Sequence, residues 1–215
     1  MKNRFATVAC GFALLLAAAP MVCRAEVVYD NLAQQSAGSD GVGTGGLIEG
    51  PLYDSFSTGT GSGILLTGVQ LLLSKSGGSS GTTSIGIYNN DAGTSPPSPG
   101  SLFATIGTVT DSSLSGTASV WNVSLESSLS LAASTRYWVG LSTNNASTQW
   151  WYAASGTGTG VANEFFSNST GNFVNANDRP YQMLVTVVPE PSTYCMALAG
   201  LACGGYLRFR RRKRA

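Results

Sequence analysis

Carboxylates are the main side chains in this sequence that could carry out catalysis, because the chain of 215 residues contains no histidine. That composition excludes Ser-His-Asp and Cys-His nucleophiles and every histidine-ligated zinc or iron site. Glycoside hydrolysis needs only two carboxylates. Scattered acids generate such pairs by chance, so we expect each candidate to be a solvated surface charge. The candidates are Glu49, Asp54, Glu126 and Glu164.

Aromatic side chains offer ligand binding as an alternative to catalysis. In the stretch STQWWYAAS, strand alternation places Trp150 and Tyr152 on one face and Trp151 on the other. An exposed Trp150/Tyr152 pair could stack on sugar rings. A tryptophan buried between two sheets is commoner, and we expect that arrangement for Trp121 and Trp138. The sequence leaves both arrangements open for the Trp150/Tyr152 pair.

Calcium is the one metal for which the sequence offers ligands, and these lie in two runs of oxygen-bearing side chains. Neither run has the spacing of a calcium-binding loop, and Asn and Asp are ordinary turn residues. We therefore expect turns at both runs and predict no cofactor. The runs are Asn89, Asn90, Asp91 and Asn175, Asn177, Asp178.

Charge is distributed unevenly along the chain. The segment from Glu26 to Val188 contains three basic side chains against ten acidic ones, a net charge of −7, although the whole chain has a formal net charge of +1. Phosphate binding needs Lys and Arg spread over a folded surface, so nucleic acid is not an expected partner. All 4 cysteines lie outside this segment, so neither a disulfide nor a thiolate-bound metal can stabilise it.

The segment Glu26–Val188 is predicted to form one all-β domain. Its apolar residues come in short runs separated by Gly, Ser, Thr and Asn, and no ten-residue stretch has good helical periodicity. Strands so closely spaced favour an antiparallel two-sheet sandwich, jelly-roll-like, over a closed barrel. The segment TSPPSPG is expected to be a loop, and Asn89 to Gly93 to end a strand. We expect strands near Val27–Tyr29, Leu52–Ser57, Ile64–Leu73, Ser84–Tyr88, Leu102–Thr108, Ser119–Leu125, Arg136–Leu141, Gln149–Tyr152 and Tyr181–Val188.

The first 25 residues have the pattern of a secretory signal peptide. Lys2 and Arg4 precede an almost wholly apolar run from Val8 to Ala19. Cleavage is predicted after Ala25, which makes the Sec translocon and signal peptidase the expected export partners. The N-terminal signal is expected to be helical and to be absent from the mature protein.

The last 27 residues form a separate segment, 189–215. Pro189 and Pro191 do not suit a central strand, so the domain is expected to end at about Val188. The uncharged stretch 192–207 would span about 24 Å as a helix, somewhat short of a hydrocarbon core of about 30 Å. We predict a single transmembrane helix there, followed by a basic cytoplasmic tip at 208–215. The basic stop consists of Arg208, Arg210, Arg211, Arg212, Lys213 and Arg214.

These C-terminal residues resemble a PEP-CTERM protein-sorting signal. The resemblance rests on Pro189, Glu190, Pro191 and Ser192, followed by the apolar run and the basic stop. It implies recognition by an exosortase, a membrane-embedded cysteine protease-transpeptidase of Gram-negative bacteria that usually make exopolysaccharide. The expected route is export across the inner membrane, membrane anchoring, and then location at the cell surface or outside the cell. An anchor that is recognised and then removed is the favoured outcome, with a retained anchor as the alternative.

The body also resembles the choice-of-anchor extracellular domains, with type R as the variant considered. The likeness is carried by GPLYDSFST, LLTGVQLLLS, SIGIYNNDAGTSPPSPGSLFATIG and LAASTRYWVGLS. It implies a β-sandwich of unassigned biochemical role.

The sequence therefore favours a non-enzymatic exported surface or extracellular-matrix protein that associates with exopolysaccharide or the cell envelope. A carbohydrate-binding module that uses exposed aromatic side chains is the alternative. A secreted glycan hydrolase that uses paired carboxylates is the third hypothesis.

Overall fold

Two antiparallel sheets form the body of the protein. The computed structural model describes residues 24–43, 50–61, 63–77, 80–125, 127–143 and 145–189. These ranges contain no α-helix, and no helix in them is long and apolar enough to cross a membrane. The expected all-β antiparallel fold is confirmed. The expected signal helix, apart from Arg24 and Ala25, and the expected transmembrane helix at 192–207 lie outside the described residues, as does the basic stop.

The first sheet has the strand order β1-β13-β4-β10-β2, with β7 and β8 also paired to β4. The second has the order β12-β11-β3-β9-β5-β6. Three short 3-10 turns accompany them at Asp111–Ser113, Val161–Asn163 and Asn175–Asn177. The strands are β1 (Glu26–Asp30), β2 (Ser36–Gly41), β3 (Leu52–Ser57), β4 (Ile64–Lys75), β5 (Thr82–Asp91), β6 (Ser98–Thr110), β7 (Ser119–Val123), β8 (Leu129–Leu131), β9 (Arg136–Thr143), β10 (Thr148–Ala153), β11 (Phe165–Asn168), β12 (Gly171–Val174) and β13 (Met183–Pro189).

Each of the nine predicted strands corresponds to an observed one, but the predicted loop TSPPSPG is partly wrong. Its last residues, Ser98 to Gly100, belong to β6, and Asn89 to Asp91 continue β5 instead of ending it. Pro99 pairs with Asn90. Since β6 is an edge strand with neighbour β5 alone in its sheet, a proline there breaks no hydrogen bond on its outer side.

Large side chains from both sheets meet in one hydrophobic core. The largest fully buried ones in this core are Trp150, Tyr29, Tyr181 and Phe56. Along most of β4, buried residues alternate with more accessible ones, as expected for a strand with one face on the core. Trp138 is fully buried, but the expectation that it lies between the sheets is wrong: its neighbours Tyr137 and Val139 belong to the core cluster, so strand alternation places Trp138 on the other face of β9. Trp121 is half-buried and packs against the core.

The two ends of the β body lie side by side. Strand β13 lies between β1 and β4, and Glu26 pairs with Val187 across the β1–β13 ladder. The compact unit extends from Ala25 to Val188. The first residue of β1 and the last residues of β13 therefore lie next to each other, because the two strands are antiparallel.

Candidate functional site

Trp150 is an internal residue and cannot stack on a ligand. Its side chain is 0% exposed, its ring stacks on Tyr181 with centroids 4.7 Å apart, and its Nε1 donates to the Gln182 carbonyl oxygen at 3.1 Å. The prediction of an exposed Trp150/Tyr152 pair is wrong for Trp150, because its position on β10 faces the opposite sheet. Tyr152 is half-buried and stays partly accessible near the end of the strand.

Tyr152 lines a cleft of about 260 Å³ at one side of the sandwich. Strands β2 and β10 of the first sheet form one part of this cleft, and the hairpin β11–β12 of the second sheet forms another. The segment that follows the last 3-10 turn completes it. We call it the aromatic cleft, and its lining residues are Asp40, Tyr152, Phe166, Asn168, Thr170, Phe173, Asp178 and Arg179.

Four aromatic rings in mutual contact connect the aromatic cleft to the core. Half-buried Phe173 stacks on Phe166, with centroids 5.0 Å apart and an interplanar angle of 21°. Phe166 in turn meets the edge of Tyr181 at 5.7 Å, and Tyr181 stacks on Trp150. Because each inner ring is fixed by the next one, the accessible ring of Phe173 is held rigidly at the surface.

Polar groups surround these rings. The Tyr181 hydroxyl donates to Asp40 Oδ2 at 2.6 Å, and Asn168 Nδ2 donates to the same hydroxyl at 3.4 Å. Arg179 is exposed, and its guanidinium carbon lies 6.0 Å from the centroid of the Tyr152 ring. That distance is at the outer limit of a cation–π contact, so the guanidinium is weakly held. The aromatic cleft thus combines flat apolar ring faces with hydrogen-bonding groups, which include a negatively charged carboxylate and a positively charged guanidinium.

Gly38 gives Tyr152 its position. The two residues pair across the β2–β10 ladder, and the ladder shifts register immediately after Tyr152. A Cβ atom on Gly38 would overlap the Tyr152 hydroxyl, so a larger residue would displace the ring. Gly38 therefore leaves the space that the Tyr152 hydroxyl occupies.

Two of the candidate catalytic carboxylates are internal, which corrects the expectation that they are solvated. Glu164 is 2% exposed and accepts a hydrogen bond from Arg136 Nε at 2.9 Å, with Ser55 Oγ as a second donor. Arg136 also donates to the Asn163 carbonyl oxygen at 2.7 Å. Burial is possible because the guanidinium compensates the carboxylate charge.

Asp54 is 0% exposed and belongs to a hydrogen-bonded network in the same region. Asn175 Nδ2 donates to its Oδ1 at 2.8 Å, and the Tyr29 hydroxyl donates to its Oδ2 at 3.4 Å. Burial raises the pKa of Asp54 well above its usual value, against the opposing effect of the Asn175 hydrogen bond. Burial, with the Asp54 charge second, likewise raises the pKa of Tyr29. Glu49 and Glu126 lie outside the residues whose side chains are described.

The two oxygen-rich runs make contacts within the protein. Asn90 Oδ1 accepts from Trp138 Nε1 at 3.1 Å, and Asp91 Oδ1 accepts from the Gly93 amide at 2.9 Å, which forms the turn after β5. Asn175 joins the Asp54 network, while Asp178 lines the aromatic cleft. Among the described residues, no group of three or more Asp, Glu, His or Cys side chains could hold a metal ion.

Residues 187–213 match the family model of the PEP-CTERM protein-sorting motif. The chain carries this sorting motif. It indicates an exosortase-sorted protein of the surface or the extracellular space of a Gram-negative bacterium, with the exosortase as processing partner. No curated protein and no solved structure matches the chain, so the likeness of the body to choice-of-anchor domains stays a prediction. Within the motif, the residues up to Pro189 are described, and Glu190, Pro191 and Ser192 lie outside the described residues.

Most residues of the aromatic cleft did not emerge from the sequence. Tyr152 was a candidate, but Phe166, Asn168 and Phe173 were not. The stretch FFSNSTGNF does contain a signal, since short aromatic runs flank a turn-forming Asn-Ser-Thr-Gly sequence. In the structure it forms the β11–β12 hairpin, where Asn168 Oδ1 accepts from the Thr170 amide at 2.9 Å.

Proposed function

We propose that the protein is a non-enzymatic component of the cell surface or extracellular matrix, delivered through its sorting motif and associated with exopolysaccharide. The sorting motif at 187–213 carries this proposal. It begins inside β13, so the folded body and the sorting segment are directly contiguous. A surface protein that is delivered by a sorting system needs a folded body joined to a sorting segment, and this arrangement supports the proposal.

The N-terminal region supports the same route. The proposed signal peptidase site after Ala25 falls immediately before β1, which begins at Glu26. Cleavage there would remove the signal peptide and leave the β1–β13 ladder intact. The body would then fold outside the inner membrane after passage through the Sec translocon.

The absence of catalysis is part of the proposal and rests on the chemistry of the acids. Asp54 and Glu164 are enclosed and engaged with internal donors, so a substrate could not reach them without opening the core. A secreted glycan hydrolase is the third hypothesis. Hydrolysis of a polysaccharide panel by the exported protein, lost on replacement of one acid, would contradict the non-enzymatic proposal.

Processing is tested by mass spectrometry of the C-terminus in strains with and without the exosortase. We expect the exported protein to lack 208–215 when the exosortase is present and to keep these residues when it is absent. A Glu190→Ala variant in the exosortase-positive strain should behave like the exosortase-negative strain. An intact tip in both strains would refute processing and leave a retained tail anchor.

Association with exopolysaccharide is tested by co-sedimentation of the exported protein with exopolysaccharide extracted from the producing strain. We expect sedimentation that depends on the amount of polysaccharide added. Equal recovery in the supernatant at every polysaccharide concentration would refute the association while leaving sorting unaffected. A carbohydrate-binding module is the second candidate function, and the aromatic cleft favours it.

A further inference from the structure

We propose that the aromatic cleft binds one or two uncharged pyranose residues of a polysaccharide chain. This inference rests on the proposed association with exopolysaccharide and adds the site and the sugar class. Tyr152 and Phe173 supply apolar faces for the C–H faces of the ring. Asp40, Asn168 and Arg179 supply hydrogen bonds to its hydroxyl groups.

The stacking faces are preorganised for such a ligand. Phe173 is backed by Phe166 at 5.0 Å, and Tyr152 is seated against Gly38 on the neighbouring strand. Each accessible ring therefore loses little conformational freedom when a flat apolar surface covers it. Aromatic rings with one buried and one accessible side are suited to stacking on sugars, which present weakly polar C–H faces.

The polar groups match the pattern of neighbouring sugar hydroxyls. The Tyr181 hydroxyl holds Asp40 Oδ2 at 2.6 Å, which fixes the orientation of the carboxylate before a ligand arrives. A carboxylate accepts from two adjacent hydroxyls, and a guanidinium donates to two, so both groups favour bidentate contacts. The side chain of Arg179 lies 6.0 Å from the Tyr152 centroid and can move aside to admit a ring between them.

The aromatic cleft is shallow and open to solvent, so it contacts only a short part of a polysaccharide chain at a time. A volume of about 260 Å³ lies just below the range of about 300–1,000 Å³ typical of sites for drug-sized molecules. One or two sugar rings are therefore the appropriate size, with the rest of a polysaccharide chain outside. Such a site gives weak binding per contact, which suits a protein that meets many repeats of one polymer.

Charge argues against acidic sugars. The lining contains Asp40 and Asp178 against Arg179, and the segment from Glu26 to Val188 has a net charge of −7. A uronate or sulfate group would meet a negative surface, at an electrostatic cost that falls as salt rises. Neutral hexoses avoid that cost.

Binding is tested on the exported protein with four purified neutral hexasaccharides (cello-, malto-, manno- and chitohexaose) and with hexagalacturonate. Calorimetry should detect binding of at least one neutral hexasaccharide and none of hexagalacturonate. Tyr152→Ala, Phe173→Ala and Asp40→Asn should each weaken that binding at least tenfold. Trp151→Ala is the matched control, because Trp151 is the half-buried neighbour of Tyr152 on β10 and does not line the aromatic cleft; its binding should be unchanged.

Failure of this inference is distinguishable from failure of the proposed function. Normal binding of a neutral hexasaccharide by all three cleft variants would overturn the site, and preference for hexagalacturonate would overturn the sugar class. Co-sedimentation with extracted exopolysaccharide that survives all three substitutions would overturn the site while retaining the proposed association. If Phe173→Ala does not fold, Asp40→Asn and Arg179→Gln at the exposed rim carry the test, with thermal denaturation as the check on folding.

Discussion

The buried ion pair between Arg136 and Glu164 makes the sharpest prediction about stability. Glu164 is 2% exposed and Arg136 is 23% exposed, with Nε 2.9 Å from the carboxylate. Arg136→Gln leaves a buried carboxylate without its compensating charge. Removal of one partner of a buried pair costs about 3–5 kcal/mol, and partial water access to the Arg136 side chain places the expected loss near about 3 kcal/mol.

The expected loss is large compared with the stability of a single domain. For a domain of this size, about 3 kcal/mol corresponds to a fall in Tm of about 6–12 °C. The measurement is urea denaturation at pH 7, followed by fluorescence, with thermal denaturation in parallel. Arg179→Gln is the matched control: Arg179 is exposed and forms no ion pair within the described residues, so we expect a change within about 0.5 kcal/mol.

A double variant separates the ion pair from the packing of the arginine stem. Arg136→Gln/Glu164→Gln replaces the pair by two neutral amides and should recover part of the lost free energy of unfolding, because no uncompensated charge stays buried. A loss under about 1 kcal/mol in Arg136→Gln would refute the argument. A double variant less stable than the single one would refute it as well.

Three further changes test other parts of the fold. Asp54→Asn should flatten the pH dependence of stability. Because burial raises the pKa of Asp54, the folded protein keeps a proton that the unfolded chain releases. The free energy of unfolding of the wild type should therefore fall as pH rises above about 4, by at most about 1.4 kcal/mol per pH unit. Parallel curves in urea denaturation at pH 4–8 would contradict this assignment. Trp150→Phe should lower the free energy of unfolding by about 1–3 kcal/mol through loss of the hydrogen bond to Gln182, and a neutral result would mean that the indole is not enclosed. Gly156→Ala should destabilise the domain by about 1–3 kcal/mol, because its Cβ would overlap the Asn175 carbonyl oxygen; an unchanged Tm would show that this backbone contact is looser.

Alternation of apolar residues was sufficient to predict most of the strands, and the missed ones lack that pattern. Strand β2 has the sequence SAGSDG and contains no large apolar residue. It is a strand because the edge of β10 supplies its hydrogen bonds, which no local propensity reveals. Strand β8 has three residues, too few for a period of two to be recognised.

The candidate site was less accessible to sequence reasoning because burial depends on long-range partners. Alternation placed Trp150 and Tyr152 on one face but could not say that this face is the inner one. Glu164 was expected at the surface, and its burial depends on Arg136, 28 residues earlier in the chain, and on Ser55, 109 residues earlier. The Asp54–Asn175 contact joins residues 121 positions apart. Such long-range contacts can be identified only from the assembled sheets and not from the local sequence.

The position of β13 determines how the body would respond to mechanical tension. This strand lies between β1 and β4 and continues into the sorting motif at its C-terminal end. Antiparallel hydrogen bonds lie perpendicular to the strands, so a pull along β13 from Pro189 would load the bonds on both sides together instead of opening them one after another. A surface protein held by its C-terminus in flowing liquid would therefore transmit drag through the part of its fold that resists shear.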